Sequence, residues 1–281
     1  MILVTGATGT VGGRIARRLV DRGPLRILAR RPDRVAVAGP LVEVVRGDYG
    51  DRASLDEAMA GVRAAFLVTN NPQRPQEDAD FIDAARAAGV RRLVKLSAHA
   101  VGHPDADDLI TNWHRANEDR LRASGLGWTV LRPRAFMTNT LSWAPSIRAE
   151  GVVRALDGSS PNACVDPDDI AEVACRALTE PGHEGQVYSL TGPEALTVRQ
   201  QTAQLAETLG RPLRFEQLTA DQVREGLRRR YPEPVVEALM DSAERARSGS
   251  KAQVDSTVLE VTGRPPRTFR SWAAENARHF N

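Results

Sequence analysis

Apolar and polar positions alternate in blocks along the first half of the chain. Met1 to Thr5 is a short run of strand formers, and a glycine-rich stretch separates it from Arg14 to Arg22, where Ile15, Leu19 and Val20 recur at helical spacing. Further strand runs lie at Leu25 to Ala29, Leu41 to Val45, Val62 to Thr69 and Arg92 to Ser97. Helical patterns occupy Ser54 to Ala60, Glu77 to Ala88 and Leu109 to Ser124, the last two closed by Gly89 and Gly125. Trp128 to Leu131 is a sixth strand running into Pro133. Strands alternating with helices need both faces of a parallel sheet covered, so the pattern predicts an α/β fold, a Rossmann-type doubly wound parallel sheet.

Past Pro133 the alternation breaks. Asp168 to Leu178 reads as a helix and Gln186 to Leu190 as a strand, so part of 151–190 is expected to return to the sheet. From Thr197 onward the pattern is mostly helical, with loops expected at Tyr231 to Pro234 and Arg245 to Ser250. The expected division is an α/β domain over 1–133 and a smaller, mostly helical C-terminal lobe over 134–281.

Composition narrows the classes. The 281 residues carry 38 basic and 36 acidic side chains, a net charge of +2, with 41% hydrophobic residues. Mixed charge gives no reason to expect a nucleic-acid partner. No run approaches the ~18 apolar residues of a membrane span, and no secretory leader is legible, so a cytoplasmic protein is expected. Cys164 and Cys175 cannot build a disulfide framework and lack the company a metal site needs, so no metal is expected. Scarcity excludes more. Lys95 and Lys251 are the only lysines, and Tyr49, Tyr188 and Tyr231 the only tyrosines. Any mechanism needing a phenol or an amine must use one of these five.

Gly6, Gly9 and Gly12 stand between a strand and a helix. Glycines there let the turn be tight and the backbone approach a pyrophosphate, while the helix N-terminus offers free N–H groups and a positive dipole end. Thr8, Thr10 and Val11 complete this phosphate-binding turn, and Thr69 and Asn70, after the fourth strand, are further cofactor candidates. At the end of the second strand stands Arg30, where NAD-binding folds carry an acid; a guanidinium instead suits the 2′-phosphate of NADP(H), with NAD(H) the lesser alternative. Gly47-Asp48 follows the third strand, placed either to meet the adenine amino group or as a simple turn.

Several segments together resemble the NmrA-like branch of the atypical short-chain dehydrogenase/reductases, with its NAD(P)H:quinone reductases and ketoreductases. They are Thr5 to Gly12, Gly47-Asp48, Lys95-Leu96-Ser97, His114 to Glu118, Thr129 to Pro133, Val165 to Ala171, Tyr188 to Pro193 and Thr262 to Pro266. In the wider family a Ser after the fifth strand polarises the carbonyl, a Tyr thirteen residues later donates the proton, and a Lys four beyond lowers its pKa. Ser97 matches the first position, but Ile110 and His114 stand at the other two.

The resemblance therefore implies an NADPH-dependent reductase whose acceptor is electronically activated. A quinone or a polycyclic aromatic hydroxy-ketone would serve, the latter supplying its own proton. Ser97 and His114 are the catalytic candidates; an unperturbed imidazole titrates near 6.5, which suits acid/base work. His99, Phe136, Met137, Asn139 and Trp143 are candidate substrate contacts, with Trp113 a weaker one. The alternative is a non-catalytic NADP(H)-sensing regulator, also found in this branch.

Overall fold

A computed structural model describes all 281 residues. Nine strands and eleven α-helices follow in the order β1 Ile2–Thr5, α1 Gly12–Leu19, β2 Leu25–Ala29, β3 Val42–Arg46, α2 Arg52–Met59, β4 Ala64–Leu67, α3 Gln76–Ala87, β5 Arg92–Leu96, α4 Leu109–Ala123, β6 Gly127–Pro133, α5 Ala144–Glu150, β7 Val152–Ala155, α6 Pro167–Thr179, β8 Gln186–Leu190, α7 Val198–Leu209, β9 Arg214–Gln217, α8 Ala220–Arg228, α9 Glu233–Arg247, α10 Thr257–Thr262 and α11 Phe269–Asn276. Seven strands form one sheet in the order β3-β2-β1-β4-β5-β6-β8. The first six strands pair in parallel throughout, and the order reverses at β1, where β2 lies on one side and β4 on the other. This is the doubly wound Rossmann-type sheet that the alternating pattern predicts. Its topological switch point lies at the carboxyl end of β1, where such sheets place their ligand crevice.

The chain divides into two compact units. The first comprises Met1–Asp105, Thr111–Pro133 and Pro167–Ser189; the second comprises Ala106–Ile110, Arg134–Asp166 and Leu190–Asn281. Within the first, β4 is buried along its whole length, and Leu3, Leu55, Leu67, Phe81, Leu93 and Val130 share one core with their neighbours. α2 starts where it does because the Asp51 carboxylate accepts from the N–H groups of Ala53 and Ser54, at 3.1 and 3.4 Å. In the second unit Ile147, Val153, Leu205, Phe269, Trp272 and Phe280 form a separate core, with Phe269 and Trp272 stacked at 5.6 Å.

The second unit corrects three expectations. β7 and β9 pair in parallel as a small two-stranded sheet that the helical pattern conceals. Tyr231 to Pro234 is not a loop throughout, because α9 begins at Glu233. Pro234 sits in its first turn, where the missing N–H has no partner to lose. The helix then runs to Arg247, so the expected loop from Arg245 shortens to its last residues.

Candidate active site

β1 delivers the chain into the glycine turn. Gly6 has φ of +64°, and a Cβ there would stand 2.4 Å from Val68 Cγ1. A Cβ on Gly12 would lie 2.4 to 2.5 Å from backbone atoms of Gly6 and Thr5, so α1 packs against the turn only as glycine permits. Thr8, Gly9 and Thr10 are exposed. α1 has no side-chain cap at Val11 and no acidic residue in its first turn; Gly13 N donates to the Gly9 carbonyl at 3.2 Å and Arg14 N to the Val11 carbonyl at 3.0 Å, and the positive end of the helix dipole faces the turn. Arg14 is a residue the motif alone does not single out. It donates to the Thr10 carbonyl at 2.7 Å and to Asp168 at 2.9 Å, bracing the turn and setting a guanidinium beside it. Burial would raise the Asp168 carboxyl, but Arg14 and Arg18 outweigh it and hold the group below its ordinary value.

At the ends of β2 and β3 a cavity of about 530 Å³ is lined by Arg30, Arg46, Gly47, Asp48, Asp51 and Ser54, among others. Arg30 and Arg46 are both exposed, and they arrive together because Ala29 is the register partner of Arg46. Asp48 accepts from Gly50 N at 3.0 Å, and its own N–H donates to Ser54 Oγ at 3.1 Å, so Asp48 holds the turn as well as lining the cavity. Thr69 is buried and its hydroxyl donates to Asp78 at 2.6 Å, whereas Asn70 is exposed. Asp78 is in turn ion-paired with Lys95, both side chains fully buried.

The Ser97 hydroxyl donates to Glu118 Oε1 at 2.6 Å. Glu118 is completely buried and also receives Arg132 at 2.9 and 2.6 Å and Arg122 at 2.7 Å. Burial pushes the Glu118 carboxyl up, but the hydrogen bonds from Arg132, Ser97 and Arg122 prevail and keep it below the usual range. Ser97 thus spends its hydrogen on a carboxylate. Trp113, His114 and Asn117 occupy the buried stripe of α4, with the Trp113 and His114 rings 4.3 Å apart. Trp113 Nε1 and Asn117 Nδ2 are buried donors without a hydrogen-bond partner, an arrangement that invites acceptors from a bound ligand. Asn117 lies within the resembling segment His114 to Glu118, but nothing in the sequence gives it a role there. His99 faces His103 across 3.3 Å between ring nitrogens.

Two of the three tyrosines have their phenols engaged. Tyr49 donates to the Val68 carbonyl at 2.7 Å, and burial pushes its pKa upward. Tyr188 is bonded to His183 Nδ1 at 2.8 Å, and Tyr231 is 44% exposed in the second unit. Within that unit, Phe136 is half-buried and bridges Val165, Asn139 is exposed, Met137 lies in the core and Trp143 packs on it. No helix is long and apolar enough to cross a membrane.

Glycine positions closed to a Cβ, an uncapped helix N-terminus and paired guanidiniums beyond the adjoining strand all fit a phosphorylated dinucleotide. A family model described as NAD(P)H-binding matches residues 6–181, and the chain belongs to that family, within the NmrA-like atypical short-chain reductases. It is 61% identical over 280 residues to a (4-alkanoyl-5-oxo-2,5-dihydrofuran-3-yl)methyl phosphate reductase of Streptomyces griseus, covering 100% of this chain and 99% of that protein. An NAD(P)H azoreductase of Xenophilus azovorans is 36% identical over 284 residues, covering 100% and 99%. The solved NADPH complex of a quinone oxidoreductase from Escherichia coli superposes with a TM-score of 0.84 at 31% identity, covering 100% of both chains. The chain is an NAD(P)H-dependent oxidoreductase.

Proposed function

We propose that this protein uses NADPH to reduce acceptors whose first reduced form is a delocalised anion, with a phosphomethyl-furanone bearing a 4-alkanoyl group as the acceptor class and quinones as a wider one. The single observation carrying this is that the hydroxyls of the first unit are already engaged where a carbonyl reductase needs a donor: Tyr49 and Tyr188 are bonded elsewhere, and the Ser97 hydrogen points at Glu118. A simple ketone would be reduced to a basic alkoxide that none of these hydroxyls could quench. An alkene flanked by a lactone carbonyl and an acyl carbonyl accepts charge into both oxygens, and a quinone becomes an aromatic hydroquinone.

When bound, the nicotinamide supplies the hydride. The glycine turn and the α1 N-terminus would hold the pyrophosphate, with Arg14 beside it. Arg30 and Arg46 would grip the 2′-phosphate, and the Trp113 and Asn117 donors on α4 would meet polar groups of the ligand. Hydride addition at the ring carbon bearing the phosphomethyl group leaves an enolate shared by the two carbonyls, and water returns the proton to the carbon between them. In the present geometry Ser97 can accept but not donate; His114 is the titratable group proposed to exchange the proton with water. For hydroxyaryl ketones the neighbouring phenol would take that part, so deleting it should abolish turnover. Phe136, Asn139 and Trp143 are the proposed substrate contacts with exposed surface, and the relatives' reductase names leave a purely sensory role without support.

The test is NADPH consumption with a phosphomethyl furanone, a quinone and a dialkyl ketone. Oxidation with the first two and none with the third is expected. Tight NADPH binding with no acceptor consumed would overturn the reading.

A further inference from the structure

Lys95 is fully buried in β5 and ion-paired with the fully buried Asp78 of α3. The other Asp78 oxygen accepts the Thr69 hydroxyl at 2.6 Å. The Lys95 ammonium also stands 5.8 Å from the centroid of the Trp113 ring on α4, within cation–π range. Burying two charges is expensive, and apolar side chains of similar size would serve a core as well or better. A use beyond stability is therefore called for.

The pair settles two orientations within the first unit. Val68 is held by its backbone, its N–H donating to Thr5 Oγ1 at 3.1 Å and its carbonyl accepting from Tyr49 at 2.7 Å, so the chain leaving β4 is fixed before it reaches Thr69. Asp78 then takes the Thr69 hydrogen and leaves that oxygen able only to accept. A cation against the Trp113 face holds the ring, whose Nε1 is a buried donor without a protein acceptor, as is Asn117 Nδ2 one turn along α4.

One acceptor and two donors are thereby prepared beside β4, β5 and β6, whereas Arg30 and Arg46 belong to the half of the sheet built from β1, β2 and β3. In a doubly wound sheet each half takes one mononucleotide of the cofactor, so the prepared groups fall to the nicotinamide nucleotide. We propose that Lys95 and Asp78 are positioning residues for the nicotinamide half of NADPH, acting through Thr69 and Trp113. This rests on the reading of the first unit as the NADPH site and deepens it by giving the buried ion pair a task there.

Binding of NADP+ and of 2′,5′-ADP, which carries the phosphorylated adenosine half alone, is measured calorimetrically. Lys95→Met combined with Asp78→Leu removes both charges together and leaves neither buried alone, so the fold is kept. The combined variant should weaken NADP+ by about 10-fold or more, as the loss of one or two oriented hydrogen bonds would, and leave 2′,5′-ADP within about 2-fold. Trp113→Phe keeps a ring and deletes the donor; it should weaken NADP+ alone, and the combined substitution should cost less in that background, because its effect runs partly through the same ring. Unchanged NADP+ affinity in the combined variant would overturn the proposal. A parallel loss of both ligands would do so too, as the mark of a pair that only supports the fold. Failure of the native protein to bind NADP+ would instead overturn the cofactor reading itself, and the proposal with it.

Discussion

Ser97 and Glu118 stand 2.6 Å apart, with the serine hydroxyl donating to a fully buried carboxylate that two arginines also hold. The residue at the family's carbonyl-polarising position is thereby turned toward the protein. Ser97→Ala should cost less than about 10-fold in kcat with a quinone, because no transition-state donor is removed. It should also lose roughly 1–2 kcal/mol of stability, the value of a hydrogen bond to a charged group. Steady-state kinetics and urea unfolding check both, and a thousandfold kinetic loss would show that the hydroxyl swings to the acceptor.

Glu118→Gln addresses the other end of that bond. It leaves Arg132 and Arg122 without their shared counter-charge, at a cost of roughly 3 kcal/mol. Because the folded carboxyl lies below its ordinary value of 4.5, its stabilising effect is complete above that value and is lost as pH falls through the folded one. The variant should therefore show a shallower acid limb in denaturation curves.

The glycine turn separates two substitutions that look alike in sequence. A Cβ on Gly12 meets Gly6 and Thr5 backbone at 2.4 to 2.5 Å, whereas one on Gly9 meets only the Gly6 carbonyl at 3.2 Å. Gly12→Ala should weaken NADPH by about 100-fold or more, and Gly9→Ala by about 10-fold or less, measured by fluorescence titration. Equal effects would mean that the turn relaxes freely.

Arg30→Ala should raise the NADPH KM by about 10- to 100-fold while leaving NADH nearly unchanged, as the loss of a bidentate phosphate contact would. Arg46→Ala should act in the same direction. A parallel rise with both cofactors would place these guanidiniums elsewhere.

Lys251 predicts an unusual alkaline behaviour. Its folded pKa of about 8 lies below the ordinary 10.5, so between these values the unfolded chain retains a proton that the folded one sheds. Stability from this group rises with pH across that window, and the full cost is present below it. Without ligand, Lys251→Met should be more stable than the native protein at about pH 7, and its denaturation midpoint should not climb between about pH 8 and 10.

What the sequence disclosed was local. The glycine turn lies within one β-turn-α crossover, and the strand and helix periods in 1–133 are short-range signals. Arg46 was illegible because its partnership with Arg30 exists only through the register of β2 on β3. Glu118 was quoted within a motif, but its hold on Ser97 spans 21 residues and needs α4 packed beside β5. β7 and β9 are four residues each and pair across the intervening α6, β8 and α7, so neither shows a strand pattern that local periodicity can connect to its partner. Within the second unit, the surroundings of Lys251 join Arg134, α9 and the loop after it, with no motif at all.

The most direct measurement follows the label from NADPH deuterated at the nicotinamide C4 into a phosphomethyl furanone. Deuterium should appear at the ring carbon bearing the phosphomethyl group, with solvent hydrogen at the carbon between the two carbonyls. Deuterium on an exocyclic carbinol carbon, or comparable turnover of a dialkyl ketone, would contradict reduction by anion stabilisation within the acceptor.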